Sequence, residues 1–195
     1  ASPGVIAIFQ ANDHYPSHDA YLAALAEAMR EEYEDIAASG LMLQIDCPDL
    51  AMGRHVVYSR DSDTDFVRQA EMHIEVLNAA LVNVPAERAR MHVCWGNYEG
   101  PHHRDIELRD IYAALMKGKP QGLLFEAANP RHAHEWTVFR DLSVPDDKVL
   151  IPGLVDSTTN YIEHPELVRQ RIVRYARLVG RENVIAGTCL LYTSD

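Results

Sequence analysis

The sequence predicts an α/β fold in which short strands alternate with longer helices. Short apolar runs rich in Val, Ile and Leu are separated by stretches in which apolar residues recur at helical spacing. In addition, polar residues gather at the points where the predicted strands end. Because this alternation is typical of βαβ units, we expect a parallel sheet that is covered by helices.

Six runs are predicted as strands, at residues 5–10, 41–46, 90–95, 122–126, 149–153 and 184–188. No glycine-rich phosphate loop follows any of them, which favours a closed (β/α)8 barrel of the TIM type over an open doubly wound sheet. A complete barrel has about eight strands in about 250 residues. We therefore expect residues 1–195 to form a single, truncated catalytic barrel that lacks the first two βα units.

Helices are predicted between these strands. Residues 18–39 have helical spacing and stop before Gly40, residues 64–84 begin at a capping Thr64 or Asp65, and residues 163–180 carry Pro165 in the first turn. Shorter helices are predicted over residues 106–117 and 132–139.

The overall charge excludes some partners. The chain has 29 acidic residues against 18 Lys and Arg, a net charge of −11 that would repel a phosphate backbone. No run approaches the length of about 20 apolar residues that a membrane span needs, and no basic segment precedes the first apolar run as in a signal peptide. We therefore expect a cytoplasmic protein that binds neither nucleic acid nor a membrane.

A histidine and a cysteine share one face of the third predicted strand. In a strand, side chains two residues apart point the same way, so His92 and Cys94 can converge. Zinc prefers these two ligand types, at about 2.0 to 2.3 Å. The pair predicts a zinc site, and the alternative is a chance pair on a buried strand whose histidine is only hydrogen-bonded.

An acid at the end of the next predicted strand supports the zinc interpretation. Glu126 follows the apolar run GLLF, where an uncompensated carboxylate would be costly to bury. If neighbouring strands pair in order, Glu126 lies beside the His92 and Cys94 pair and can be a third ligand. Alternatively, it pairs with Arg131 or His132 in the following loop. Cys189, at the end of the last predicted strand, could supply a second sulfur.

The motifs HVCWGNYEGPHH, LLFEAANPRHAHEW, LQIDCPDLA and NVIAGT resemble the C-terminal catalytic barrel of cobalamin-independent methionine synthases and their shorter relatives, across nearly the whole chain. The resemblance implies that zinc is held by His92, Cys94, Glu126 and Cys189, and that Asp46 binds the amino group of homocysteine. It also implies the reaction, in which the thiol of homocysteine takes a methyl group from 5-methyltetrahydrofolate, in its polyglutamate form, to give methionine.

Two positions depart from the family pattern. After the fifth predicted strand the long synthases have a histidine that supplies a proton, whereas this chain keeps Asp156 and has Thr158 where the histidine belongs. Cys189 arrives one residue earlier than the family cysteine, and a shift of one along a strand turns a side chain to the other face. We expect the proton to come from Asp156, or from a histidine in a nearby loop (His102, His103, His132 or His134), unless the methyl donor differs.

Other functions remain open at this point. The nearest keeps zinc and changes the substrate: alkyl or methyl transfer to or from another thiol, such as coenzyme M, or transfer linked to a corrinoid. A metal-free decarboxylase of the same superfamily is disfavoured, because arginines are scarce at the predicted strand ends. The last alternative is an inactive barrel fragment. Open edges of an incomplete barrel also predict self-association.

Overall fold

The computed structural model describes residues 1–96 and 100–188. Four parallel strands form one sheet in the order β1-β2-β3-β4. They are β1 (Leu43–Asp46), β2 (Ala89–Val93), β3 (Gly122–Glu126) and β4 (Val149–Gly153). The predicted α/β class with a parallel sheet is confirmed. β1, β3 and β4 lie within predicted strands, and β2 begins one residue before the predicted start at residue 90.

Seven α-helices occur in the described part of the chain. They are α1 (Pro3–Phe9), α2 (His18–Ala38), α3 (Met52–Val56), α4 (Asp63–Ala80), α5 (Leu108–Met116), α6 (Trp136–Asp141) and α7 (Pro165–Val179). Short 3-10 helices lie at Pro48–Leu50, Ala86–Arg88, Ala133–Glu135 and Arg181–Asn183. Because at least one α-helix follows every strand, consecutive strands can pair in parallel as neighbours.

The first predicted strand, residues 5–10, is wrong, because residues 5–9 belong to α1 and Gln10 caps its C-terminus. The Ser2 hydroxyl accepts a hydrogen bond from the Val5 N–H at 2.9 Å, and Pro3 occupies the first turn, where its missing N–H costs nothing. A short apolar run fits a buried helix as well as a strand. The Ser-Pro pair before it was the signal for a helix.

The last predicted strand, residues 184–188, is not a strand in the described residues. Val184 and Gly187 form isolated bridges to Leu150 and Gly153 of β4. Gly187 can approach this closely because it has no side chain: a Cβ there would lie 2.9 Å from a Leu124 methyl carbon. The segment thus follows β4 without a continuous ladder, so four of the six predicted strands are observed.

Two helix boundaries also differ from the prediction. The cap of α4 is Ser62, whose hydroxyl accepts from the Asp65 N–H at 3.1 Å, rather than Thr64 or Asp65. The helix predicted over residues 132–139 is a 3-10 turn, Ala133–Glu135, that continues into α6.

The two faces of the sheet differ in chemistry. Ile45, Met91 and Leu123 are in register on the face that packs against the helices, in the main hydrophobic core. The opposite face carries Asp46 and His92, which are paired in register. Alternation along each strand therefore separates the core from the face that carries the candidate site. None of the helices in the described ranges is both long enough and apolar enough to cross a membrane.

Candidate functional site

The strand register brings three of the sequence-predicted residues to one end of the sheet. Val93 of β2 pairs with Phe125 of β3, so the next residues along the two strands, Cys94 and Glu126, lie side by side. His92, two residues before Cys94, projects from the same face of β2. The three candidate ligands therefore come from the C-terminal ends of two adjacent parallel strands.

His92 is held by a carboxylate from the neighbouring strand. Its Nδ1 lies 2.8 Å from Asp46 Oδ1, and its Nε2 is buried without a hydrogen-bond partner among the described residues. Because a carboxylate accepts hydrogen bonds, Nδ1 is the donor of this contact, and Nε2 is the ring nitrogen that remains for another partner. Metal-binding histidines commonly have this arrangement, in which an acid fixes the tautomer and orients the ring.

Cys94 and Glu126 stand at a spacing that suits shared coordination. The Cys94 sulfur lies 3.8 Å from Glu126 Oε1. Ligand atoms of one tetrahedral zinc, sulfur at about 2.3 Å and oxygen at about 2.1 Å, are separated by about 3.6 Å. The Gly96 N–H also donates to the Cys94 sulfur at 3.1 Å, which stabilises negative charge there.

Glu126 is 2% exposed and is held by several donors. Its carboxylate accepts from the Trp95 N–H at 3.0 Å and from the Asn129 amide at 3.2 Å, and Arg131 Nη2 lies 4.0 Å away. Burial raises the pKa of Glu126, and the Trp95 N–H, His132 and Arg131 oppose the rise. The sequence left two alternatives to a ligand role for Glu126, pairing with Arg131 or with His132. The contact with Arg131 is present, at the longest distance that counts as an ion pair. His132 bonds other acids instead.

A complete metal-binding group is not assembled in the described residues. Within residues 1–96 and 100–188, no three His, Cys, Asp or Glu side chains lie close enough together to hold a metal ion. The predicted fourth ligand, Cys189, lies outside the described residues. The donor types, the spacing of Cys94 and Glu126 and the unpartnered Nε2 of His92 nevertheless fit zinc, so zinc binding is taken up below as a proposal.

Asp156 occupies a turn after β4. Its Oδ1 accepts from both the backbone N–H and the hydroxyl of Thr158, at 2.9 and 2.7 Å. Its own backbone N–H donates to Glu163 at 2.8 Å. These contacts are those of an acid that caps a turn, the alternative to catalysis for this type of residue. A catalytic role of Asp156 stays a prediction.

A chain of four hydrogen-bonded side chains near the site was missed by sequence reasoning. His102 Nδ1 bonds Asp105 at 2.8 Å, His132 bonds Asp105 at 3.1 Å through Nε2, and His132 bonds Glu135 at 2.9 Å through Nδ1. The signal available in the sequence was the His-x-x-acid spacing, which occurs in both loops at His102 and at His132. It could not show that the two loops meet.

Comparisons with known proteins support the fold. The sequence matches no family model and no curated protein. The structure is similar to that of a B12-independent methionine synthase from Shewanella sp. W3-18-1, solved with selenomethionine, with a TM-score of 0.72 and 18% sequence identity over 98% of this chain and 54% of that one. It is also similar to a putative vitamin-B12-independent methionine synthase from Listeria monocytogenes, with a TM-score of 0.68 and 18% identity over 96% of this chain and 54% of that one.

These likenesses concern the fold alone, because 18% identity is too low to carry an activity. This chain spans about half the length of each of the two synthases. The resemblance drawn from motifs is thus supported at the level of the fold.

Proposed function

We propose that this chain forms the zinc-dependent catalytic centre of a methyltransferase that transfers a methyl group from 5-methyltetrahydrofolate to the thiol of homocysteine. The observation that carries the proposal is the buried Nε2 of His92, which has no hydrogen-bond partner in the described part of the chain and projects from the same strand face as Cys94. An unpartnered buried nitrogen is costly, and a metal ion would satisfy it.

Three residues would hold the metal. His92 would bind through Nε2, Cys94 through its sulfur and Glu126 through a carboxylate oxygen, which are all ligand types that zinc accepts. Cys189 stays a predicted fourth ligand. When bound, zinc supplies the positive charge that keeps a coordinated thiol deprotonated at neutral pH, and the thiolate is the nucleophilic form.

Asp46 has two tasks in this proposal. Its Oδ1 orients His92, and the side chain is 38% exposed, which leaves the carboxylate accessible from outside. A substrate ammonium group could therefore bind the same carboxylate that fixes the His92 ring. Because one carboxylate would make both contacts, binding of the amino group would affect the orientation of the His92 ring. This arrangement suits a thiol substrate that carries an α-amino group.

The nearest alternative is zinc-dependent alkyl transfer to or from another thiol, such as coenzyme M, or transfer linked to a corrinoid. One observation favours it: Asp156 is committed to its turn with Thr158, so the proton donor of the long synthases has no counterpart at this place. A different alkyl donor would not require that proton donor.

Zinc content measured by plasma mass spectrometry tests the metal centre. We expect near-stoichiometric zinc in the native protein and loss of zinc in Cys94→Ser. Cys47→Ser is the matched control, because Cys47 is also buried at a strand end but belongs to the helix-side core. Equal zinc in native protein and Cys94→Ser would overturn the site.

Activity assays then separate the substrates. Homocysteine and coenzyme M are offered in parallel with 5-methyltetrahydrofolate, and methylated product is measured by mass spectrometry. Methionine formation that needs zinc supports the main proposal. Turnover of coenzyme M alone supports the alternative, and bound zinc without turnover of either thiol rules out 5-methyltetrahydrofolate as the donor and overturns the main proposal.

A further inference from the structure

The guanidinium of Arg131 lies at the edge of the candidate metal site. Its Nη2 lies 4.0 Å from Glu126 Oε2, and it donates to the carbonyl of Gly96 at 3.4 Å. The N–H of the same Gly96 donates to the Cys94 sulfur. Arg131 therefore brings a positive charge to the two strand ends that carry the proposed anionic ligands, Cys94 and Glu126.

The position of Arg131 is fixed within its own loop. The buried side chain of Asn129 accepts from both the backbone N–H and the Nε of Arg131, at 3.0 and 3.2 Å. The amide of Asn129 also donates to Glu126 at 3.2 Å. One carboxamide thus holds the cation and the proposed zinc ligand together. A side chain that is already held in place loses little conformational entropy when it binds a ligand.

Part of the Arg131 guanidinium remains for a ligand. A guanidinium carries five N–H donors in one plane, and this geometry matches two oxygens of a carboxylate or of a similar anion. In the described part of the chain, Nη1 makes no hydrogen bond, and the one ion pair of Arg131 is its contact with Glu126. The Arg131 side chain is 28% exposed. An anion from solution can therefore reach the guanidinium.

The charges of the proposed centre favour such a cation if the substrate is an anion. The thiolate of Cys94 and the carboxylate of Glu126 would balance the two positive charges of zinc, so the thiolate of a substrate would make the centre negative. Asp46 adds an accessible carboxylate, and the whole chain carries a net charge of −11. A second negative charge on the substrate would be repelled there unless a positive group met it. Arg131 is placed to be that group.

We propose that Arg131 binds the anionic group of the thiol substrate, a carboxylate or a sulfonate that is carried a few bonds from the sulfur. The inference rests on the proposed thiol alkylation and narrows its substrate class, because short thiols with a negative charge would be selected over neutral thiols of similar length. Homocysteine and coenzyme M both carry such a group, so the inference holds for either. Arg131 determines which thiol binds and takes no part in the transfer of the alkyl group.

The test measures the binding of four thiols to zinc-loaded protein by isothermal titration calorimetry. Coenzyme M is compared with 2-mercaptoethanol, and homocysteine with homocysteine amide, so the two members of each pair differ in the anionic group. For Arg131→Gln we expect the affinity for the charged member to fall about ten- to a hundredfold, as for the loss of a hydrogen bond to a charged group. The affinity for the neutral member should stay the same. Arg131→Lys keeps the charge and should recover part of the affinity.

Arg104→Gln is the matched control. Arg104 belongs to the loop that follows β2, at the same end of the sheet, and it is exposed. Its Nη1 donates to the carbonyl of Ser59 at 2.8 Å. Its replacement should leave the binding of all four thiols unchanged. Zinc content is measured for every variant, because a protein without zinc would lose all four thiols together.

The outcomes are distinct. A loss that is selective for the charged thiols supports the inference, and the pair that shows it identifies the anion as a sulfonate or a carboxylate. Equal losses for charged and neutral thiols in Arg131→Gln, no loss for the charged ones, or loss of zinc would overturn the inference, because Arg131 would then serve only to hold Glu126. If the native zinc-loaded protein binds none of the four thiols, the proposed function fails and the inference fails with it.

Discussion

Two buried histidines of this chain are bound to aspartates in almost the same way, yet only one stands beside further metal-binding groups. His92 Nδ1 lies 2.8 Å from Asp46, and His73 Nδ1 lies 2.9 Å from Asp49. In both histidines Nε2 is buried and lacks a hydrogen-bond partner among the described residues. A pair of buried histidine and carboxylate is therefore not enough to identify a metal ligand.

The surroundings of the two pairs differ. Asp46 is 38% exposed at its side chain and lies on the sheet face that carries Cys94. Asp49 is 1% exposed and also accepts from the Ser2 hydroxyl at 2.7 Å, so it ties the start of α1 to His73 of α4. One pair is accessible and near other ligands, and the other is sealed between helices. Access and neighbouring donors separate a site from a structural contact.

Removal of Asp49 should have the largest effect on stability. Asp49→Ala leaves His73 and the Ser2 hydroxyl buried without their partner, and the loss of one member of a buried pair costs about 3–5 kcal/mol. Urea unfolding followed by circular dichroism measures it. Zinc bound per folded molecule should stay unchanged. A stable Asp49→Ala protein that has lost zinc would instead make the Asp49 pair part of the site.

A methyl group at Gly4 tests how tightly the sealed pair is packed. A Cβ there would lie 2.1 Å from Asp49 Oδ2 and 2.7 Å from His73 Nδ1, so Gly4→Ala should destabilise by about 1–3 kcal/mol through overpacking. Gly53→Ala is the control, because its Cβ would meet Phe66 at an ordinary 3.4 Å and alanine suits helix α3. Comparable unfolding midpoints for the two variants would show that α1 can shift to accommodate the added methyl group at little cost in stability.

Strand pairing and helical spacing made much of the fold predictable. The strands at Gly122–Glu126 and Val149–Gly153 match their predicted bounds, because each is an apolar run bounded by breaks in the pattern. The segment 5–10 was misassigned because a short apolar run has no distinctive period, and only the Ser2 cap reveals the helix. Periodicity determines long elements better than short ones.

The candidate site was predictable in part. Strand alternation and order predicted that Cys94 and Glu126 meet, and they do. The bond from Asp46 to His92 was not foreseen, because Asp46 was assigned to the substrate by resemblance. Contacts between loops, such as that of Asp105 with His132, depend on tertiary packing, which no local pattern encodes.

Asp46→Asn should have a smaller effect, on metal affinity rather than on stability. An asparagine can keep a hydrogen bond to His92 but loses the charge that strengthens the imidazole as a ligand, and such changes cost about 10–100-fold in metal affinity. Competition with a chelator measures the zinc dissociation constant. Asp156→Asn is the control, since its carboxylate is bonded to Thr158. Equal affinity of Asp46→Asn and native protein would contradict the orienting role.

The smallest expected effect concerns the two described cysteines, one in the sealed region and one in the accessible region. They should differ in their reactivity towards an alkylating reagent. Burial raises the pKa of Cys47 well above its ordinary value, and Asp49 and Asp46 add to the rise, so its thiol should resist iodoacetamide at neutral pH. Cys94, beside the Gly96 N–H, should react in the zinc-free protein and be protected when zinc is present. Peptide mass spectrometry measures the labelled fraction at each cysteine. Labelling of Cys47 ahead of Cys94 would show that the helix-side core opens more readily than the site, and it would reverse the contrast between the sealed and the accessible region.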